Sequence, residues 1–378
     1  MNEFPLLNAS DGVPLFYPHL PDGAISEVSD TLSGRWIGQG PKVDLFEKQF
    51  RSKFLGEHEA LAVGSGTDAL HLAYLMAGIK PGDEVIVPVF TCTATNLPLL
   101  YIGAKPVFTD IDPETMNIDV DDIKKRITSK TKAIVCVDYG GVPSNYRELH
   151  KICADSNLKL ISDAAHAIGT KYNNIYSAQI ADYTIFSFQA IKTITTGDGG
   201  MLAIRDKSLL SLGKRLRWFG IDREAKQGGI WENDILELGY KYQMNDIAAS
   251  LGLAAMKTID SVISYRNSLF KAYEERLANN KDVRIIGKSS TGVYFNSAWL
   301  ITIVVEKNRT DLMKKLRDHG IESAQVHYRN DRYTIFGGRK DDLPNMDLIE
   351  DKYLVLPLHT KMGIEHIDNI CNVIKSGW

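Results

Sequence analysis

Two stretches decide how this chain is read: LKLISDAAHAIG at positions 158–169 and DYTIFSFQAIKTITTGDGG at 182–200. Each begins with a short aliphatic and β-branched run of strand length, and the runs end near polar residues, Asp163 in one and Ser187 in the other. A carboxylate at the carboxyl edge of a buried strand points into the crevice where α/β proteins bind ligands. Taken alone, Asp163 reads equally well as a helix cap. Lys192 lies five residues past Ser187, in a segment rich in Gly and Thr with few competing charges. A lone lysine is ordinarily a solvated surface group. Asp163 and Lys192 are 29 positions apart, one crossover and one strand, so neighbouring strand ends bring both side chains to one crevice.

The same texture extends outward. HEALAV (58–63), DEVIVPVF (83–90), KPVFTDI (105–111), KAIVCVDYG (132–140) and GGMLAIRD (199–206) are further strand-length runs. TDALHLAYLMAG (67–78), TATNLPLLYIG (93–103) and NYRELHKICADSN (145–157) carry helical periodicity between them. Strands alternating with helices predict a large α/β domain with a doubly wound, mostly parallel sheet. From Met244 to Leu277, Ala and Leu recur at helical spacing without a strong breaker, which predicts one long helix or a kinked pair. Beyond it VRIIG (283–287), TGVYF (291–295), SAWLITIVVE (297–306), the helix RTDLMKKLRDHG (309–320), LPNMDLIEDKYLVLPL (343–358) and a last helix predict a smaller C-terminal α+β domain. The expected division is 1–255 for the large domain with its N-terminal arm and 256–378 for the small one.

The 378 residues carry 44 Lys and Arg against 47 Asp and Glu, a net charge of -3. That balance supplies no basic footprint for nucleic acid or an anionic membrane. No apolar run approaches the roughly 18 residues of a membrane span. The start carries an acid, Glu3, where a signal peptide is positive, so a cytoplasmic location is expected. Cys92, Cys136, Cys153 and Cys371 are scattered singly, with neither zinc-site spacing nor disulfide density, so free thiols and no metal site are expected.

A third loop, Gly64-Ser65-Gly66-Thr67, separates a strand run from a helix. A helix start with small residues presents free N–H groups and a positive dipole end, and its hydroxyls add donors, which suits a phosphate. GSGTDA also satisfies the dinucleotide pattern G-x-G-x-x-A. The next strand run, VIVPVF, ends without the acid that a ribose requires, and the nicotinamide reading fails there. A phosphate cradle, an acid able to pair with a pyridinium nitrogen and a lysine able to form a Schiff base are together what pyridoxal phosphate (PLP) requires.

With these elements in view, the chain resembles the DegT/StrS type of sugar aminotransferases, PLP enzymes with the aspartate aminotransferase fold (PLP fold type I). The resemblance covers nearly the whole length. It runs through RWIGQGPKVDLFEKQF (35–50), GSGTDAL (64–70), PGDEVIVP (81–88), GAKPVFTDID (103–112), SDAAHAIG (162–169), SFQAIKTITTGDGG (187–200), GYKYQMNDIAASLGL (239–253) and the late His327-Tyr328 and LPLH (356–359) elements. It implies that Lys192 forms the Schiff base with the cofactor, that Asp163 pairs with its ring nitrogen, and that Gly66, Thr67 and Ser187 hold its phosphate. His166 matches a position beside the ring, with a packing or hydrogen-bonding role. The loop Gly239-Tyr240-Lys241-Tyr242 matches one that reaches the phosphate of the neighbouring subunit, which implies a homodimer with shared active sites. The implied reaction is ping-pong. An amino-acid donor, most often glutamate, converts the cofactor to pyridoxamine phosphate, and that nitrogen then passes to the keto group of a nucleotide-linked keto-deoxy sugar.

The chain departs from the family pattern at several positions. Cys92 follows the Thr of the PxxT element, where many members carry an aromatic that stacks on the cofactor; Phe90 reads as a substitute or as core. Gln189 and Gln243 replace a His and an Arg, while Lys241 replaces Asn and keeps charge and donors for a phosphate. Only His327 and Tyr328 match the late element, and the resemblance implies that they contact the substrate. Arg329 and Arg332 read either as a clamp on a sugar-nucleotide pyrophosphate or as solvated loop residues, and Arg217 carries the same two readings. Aminocyclitol transaminases share these motifs. Sugar dehydratases of the same fold replace the lysine with histidine, and Lys192 argues against them. A silent regulatory paralogue is the non-enzyme alternative, disfavoured because lysine, acid and phosphate loop are all intact.

Overall fold

The computed structural model describes residues 4–8, 12–232 and 234–378. In chain order it has strands β1 (Glu59–Val63), β2 (Glu84–Pro88), β3 (Lys105–Thr109), β4 (Thr131–Val137) and β5 (Lys159–Asp163), a short hairpin β6 (Lys171–Tyr172) and β7 (Ile175–Tyr176), then β8 (Tyr183–Ser187) and β9 (Gly200–Ile204). Seven of these form one sheet in the order β1-β9-β8-β5-β4-β2-β3. Only the two pairings of β9 are antiparallel. The strands are apolar at successive positions because helices cover both faces. In β2, Val85 and Val87 pack into one core cluster with Leu70 and Ala73 of the helix Gly66–Met76, whereas Ile86 packs into another with Tyr146, Leu149 and Ile152 of the helix Tyr146–Ser156. This is the expected α/β architecture.

The stretch from Met244 resolves into two helices, Asp246–Met256 and Ile259–Leu277, bent by 64° from each other. Asn245 caps the first by accepting from the Ala248 N–H. Among the described residues, no single helix is long and apolar enough to cross a membrane.

Strands β10 (Val283–Ile285), β12 (Ile301–Val305) and β13 (Tyr353–Leu356) form an antiparallel sheet that packs with Leu312, Leu316, Ile367 and Ile370 in a separate core cluster. Two segments lie elsewhere than the sequence pattern suggests. TGVYF contains β11 (Tyr294–Phe295), which joins β6 and β7 instead of the C-terminal sheet: Tyr294 stands opposite Tyr172, and the Val293 carbonyl accepts from Asn173 N–H at 2.7 Å. The N-terminal arm, grouped above with the large domain, is tied to the C-terminal part. Val13 bridges to Ile321, Leu15 N–H donates to Glu322 at 2.9 Å, and the Pro14 carbonyl lies 3.0 Å from His359 Nε2.

Candidate active site

β5 and β8 are parallel neighbours with Asp163 opposite Ile185, so their carboxyl ends open on one crevice. Past Ser187 the chain loops out and returns as β9. The Lys192 N–H donates to the Gln189 carbonyl at 2.8 Å and the Thr196 N–H to the Phe188 carbonyl at 2.9 Å, which folds the loop into compact turns. The helix Gly66–Met76 starts beside Ser187. Its cap is the Ser65 hydroxyl, accepting from the Asp68 N–H at 3.0 Å, and the amides of Gly66 and Thr67 stay without intrahelical partners. A Cβ on Gly66 would stand 3.0 Å from the Ser187 Cβ, so the serine approaches the helix start only because that residue is glycine. Together with Thr91, Cys92, Val326 and His327, these elements enclose a cavity of about 300 Å³.

Lys192 and Asp163 both line this cavity. The Lys192 Nζ lies 3.8 Å from the centre of the buried Trp299 ring. Burial brings its pKa down to about 8, against upward pulls from Cys92 and Asp163. One Asp163 oxygen accepts from the Thr95 hydroxyl at 2.7 Å, and the other accepts from the Ala165 N–H at 3.1 Å. The Thr91 and Thr95 hydroxyls stand 2.7 Å apart behind that contact. Burial raises the Asp163 pKa, while the Thr95 and Ala165 hydrogen bonds and Lys192 act the other way. His166 stacks on Trp299 with ring centres 3.8 Å apart and planes at 21°, and His327 lies along His166 at 5.4 Å and 14°. Burial, then the charge of Lys192, holds the His166 pKa well below the usual imidazole value and brings that of His327 to about 3.

Of the residues singled out in the sequence, Gly66, Thr67, Cys92, Asp163, His166, Ser187, Lys192 and His327 meet around the cavity. Lys241 does not; it is exposed, with its Nζ 5.1 Å from the Phe219 ring centre. Tyr328 and Arg332 are exposed outside the wall and stack on each other, the guanidinium 4.5 Å from the ring centre. Two arginines correct the expectation. Arg329 is fully buried, bidentate to Asp331 at 2.6 and 2.7 Å and bonded to Asp347 and Glu350, so its fork is occupied within the protein and holds this loop rather than a ligand. Arg217 is likewise buried, donating to Glu47 at 2.6 Å and to the Ala62 carbonyl at 2.8 Å. Phe90 is core, packed edge-on against Tyr139 and Tyr353.

Thr95 and Trp299 are site residues that sequence reasoning missed. The run Thr91-Cys92-Thr93-Ala94-Thr95, three hydroxyls at the start of the helix Thr93–Ile102 that follows β2, was a readable signal for the first. Trp299 lies in an apolar run that reads as strand core, and nothing local marks it.

A lysine and an acid at adjacent strand ends, facing a helix start beside a serine, are the groups that a PLP site requires. The chain belongs to the DegT/DnrJ/EryC1/StrS aminotransferase family, whose sequence profile matches residues 20–375. It is 33% identical to the GDP-perosamine synthase of Escherichia coli O157:H7 over 366 residues, covering 96% of this chain and 98% of that one. Among solved structures it superposes on Spr1654 of Streptococcus pneumoniae in its PLP form, with a TM-score of 0.91, 30% identity and coverage of 97% and 98% of the two chains. It also superposes on DesI solved with its TDP-sugar product, with a TM-score of 0.87, 26% identity and coverage of 97% and 93%. The protein is a PLP-dependent sugar aminotransferase. Its residues fit that cofactor: free amides and hydroxyls at Gly66, Thr67 and Ser187 for a phosphate, a buried amine for an aldehyde, and a buried carboxylate for a pyridinium.

Proposed function

We propose that this aminotransferase takes the amino group of an amino acid, L-glutamate first among donors, and delivers it to the keto group of a nucleotide-linked keto-deoxy sugar in a ping-pong cycle. The observation that carries the reading is Lys192, an amine with a pKa near 8 in the same cavity as the buried Asp163. The nucleotide is supported by the sugar nucleotides named for the E. coli relative and for DesI.

Bound in this cavity, PLP supplies an aldehyde for amines and a ring that accepts the electron pair released at the donor's α-carbon. Lys192 Nζ is the covalent anchor when no substrate amine is present. Once released, it takes the α-proton at Nζ and returns it from the opposite charge state, which a pKa near 8 permits close to neutral pH. Asp163, oriented by Thr95 and Ala165, presents its carboxylate to a ring N–H. The Gly66 and Thr67 amides and the Ser187 hydroxyl hold the phosphate. Trp299 and His166 exclude water from one side of the amine. We further propose a homodimer in which Lys241 serves the partner's phosphate, and a division of each chain at about residue 256. Exposed apolar residues on the segment leading to Lys241, Trp231, Leu236 and Leu238, support the dimer.

The test is the visible absorbance of the PLP-loaded protein before and after glutamate. Bleaching of the band, then its return on adding one member of a panel of GDP-, UDP- and TDP-linked keto-deoxy hexoses, is the expected result. A band that glutamate leaves unchanged overturns the donor, and a band restored by none of the panel overturns the acceptor.

A further inference from the structure

Among the described residues Trp299 is the largest side chain that is fully buried, yet its surroundings are more specific than filling a core requires. The Lys192 Nζ stands 3.8 Å from the centre of its ring, well inside the roughly 6 Å over which an aromatic face attracts a cation. Among the described residues no hydrogen bond or ion pair holds this amine, so the ring is the contact that fixes where Nζ rests. The indole is itself held at several points. Its ring N–H donates to the Ile191 carbonyl at 3.0 Å, one residue before the lysine. Its backbone N–H donates to the Gly140 carbonyl at 2.9 Å. The carbonyls of Ala298 and Trp299 both accept from the buried Arg266 of the helix Ile259–Leu277, the first at 3.0 Å.

Phe16 completes the support from the far end of the sequence. It lies along the indole with ring centres 5.3 Å apart and planes at 16°. The N-terminal arm that carries it is tied to the C-terminal part at Val13 and Leu15. Gly12 lets the arm seat closely: it has φ +72°, and a Cβ there would stand 2.9 Å from the Gly320 carbonyl oxygen. Lys192 is free both before the cofactor binds and after a substrate amine has displaced it. Left to itself, its four-carbon stem samples many rotamers. An aromatic face holds the ammonium without a hydrogen bond that must be broken, and it lets the amine go once the charge is lost.

We propose that Trp299 is the docking face for the Lys192 ammonium whenever the lysine is not covalently held, and that Phe16 is a positioning residue that keeps the indole against it. The inference rests on Lys192 as the covalent anchor proposed above.

The test is NMR of the full-length protein, labelled with [ε-13C]lysine and loaded with pyridoxamine phosphate, which offers Lys192 no aldehyde. Lys192 is identified as the signal missing from Lys192→Arg. Protons over the face of an aromatic ring shift upfield. The Lys192 Hε signals are therefore expected further upfield than those of any other lysine, since the next shortest separation of a lysine from a ring centre is 5.1 Å. Trp299→Leu keeps an apolar side chain without the ring, and the shift is expected to vanish. Phe16→Ala should lose much of the shift, while Phe16→Tyr, which retains a ring, should keep it. Circular dichroism reads whether each variant is folded, and Gly12→Val, which unseats the arm from a distance, takes the place of Phe16→Ala if that chain does not fold. A Lys192 signal within the range of the exposed lysines overturns the docking face. A shift unchanged in the arm variant, or lost equally in Phe16→Tyr, overturns the positioning role. A visible band that Lys192→Ala still forms with PLP overturns the anchor instead, while the NMR result still decides the docking face.

Discussion

Lys192 and Arg329 show how differently one chain treats two buried cations. Among the described residues Lys192 has an aromatic face and no ion-paired carboxylate, and its pKa falls to about 8; Arg329 is enclosed by three acids. At pH 7 about one Lys192 in ten is then a neutral amine, against about one in two thousand for a free lysine. Because the folded pKa is lowered, the neutral fraction climbs as pH rises through about 8 and is complete above it. The rate at which apoprotein captures PLP covalently, followed by absorbance, should rise with pH and level off above that value; a midpoint near 10 would show that burial does not tune this amine. Lys192→Ala should fold and give no visible band. Arg329→Ala strands Asp331, itself fully buried, and should cost about 3–5 kcal/mol in urea unfolding, whereas Arg332→Ala should stay within about 0.5 kcal/mol. The lysine was legible because it follows a strand beside a companion acid. The burial of Arg329 was not, because two of its partners, Asp347 and Glu350, come from 18 and 21 positions away, and composition alone places arginine at the surface.

Elements set what those residues can reach. The ends of β5 and β8 and the start of the helix Gly66–Met76 converge because each strand is apolar enough to sit between helix layers, and that pattern is local and readable. The weakest tolerance lies where the helix start meets Ser187. Gly66→Ala puts a methyl carbon 3.0 Å from the Ser187 Cβ, so strand and helix must part. With roughly 1–3 kcal/mol for such overpacking, PLP affinity should fall about tenfold or more, measured by titration of the apoprotein, with helix content unchanged. Affinity within twofold of wild type would remove this contact from the phosphate cradle. Pairings at long sequence distance escaped the same reading. Tyr294–Phe295 joins a hairpin over 120 positions earlier, and Val13 bridges to Ile321, because two-residue strands and single bridges carry no periodicity of their own. Trp299 belongs with them, since an indole that supports Lys192 and one that fills a core look alike in sequence.

At the scale of the whole molecule, Lys241 stands where the family pattern places a phosphate contact, yet it is exposed beside Phe219 and does not line the cavity of its own chain. Its neighbours on the same excursion, Leu236 and Leu238, are about four-fifths exposed, at 79% and 80%, and Ile25 is 88% exposed; exposed apolar residues of this kind favour the proposed contact with a second chain. A two-fold partner would cover these residues and bring each Lys241 to the other subunit's helix start. Complementation distinguishes this from an independent site. Lys192→Ala and Lys241→Glu chains should each be nearly inactive alone. In a mixed dimer, however, the Lys241→Glu chain keeps its own Lys192 and receives an intact Lys241 from its partner, so one of two sites is whole. Random mixing makes half the dimers hybrid, so co-expression in equal amounts should restore roughly a quarter of wild-type activity. If Lys241 served its own subunit, every hybrid would lack one of the two groups in each site and the mixture would stay inactive. If Lys241 touched no phosphate, the Lys241→Glu chain would be active by itself.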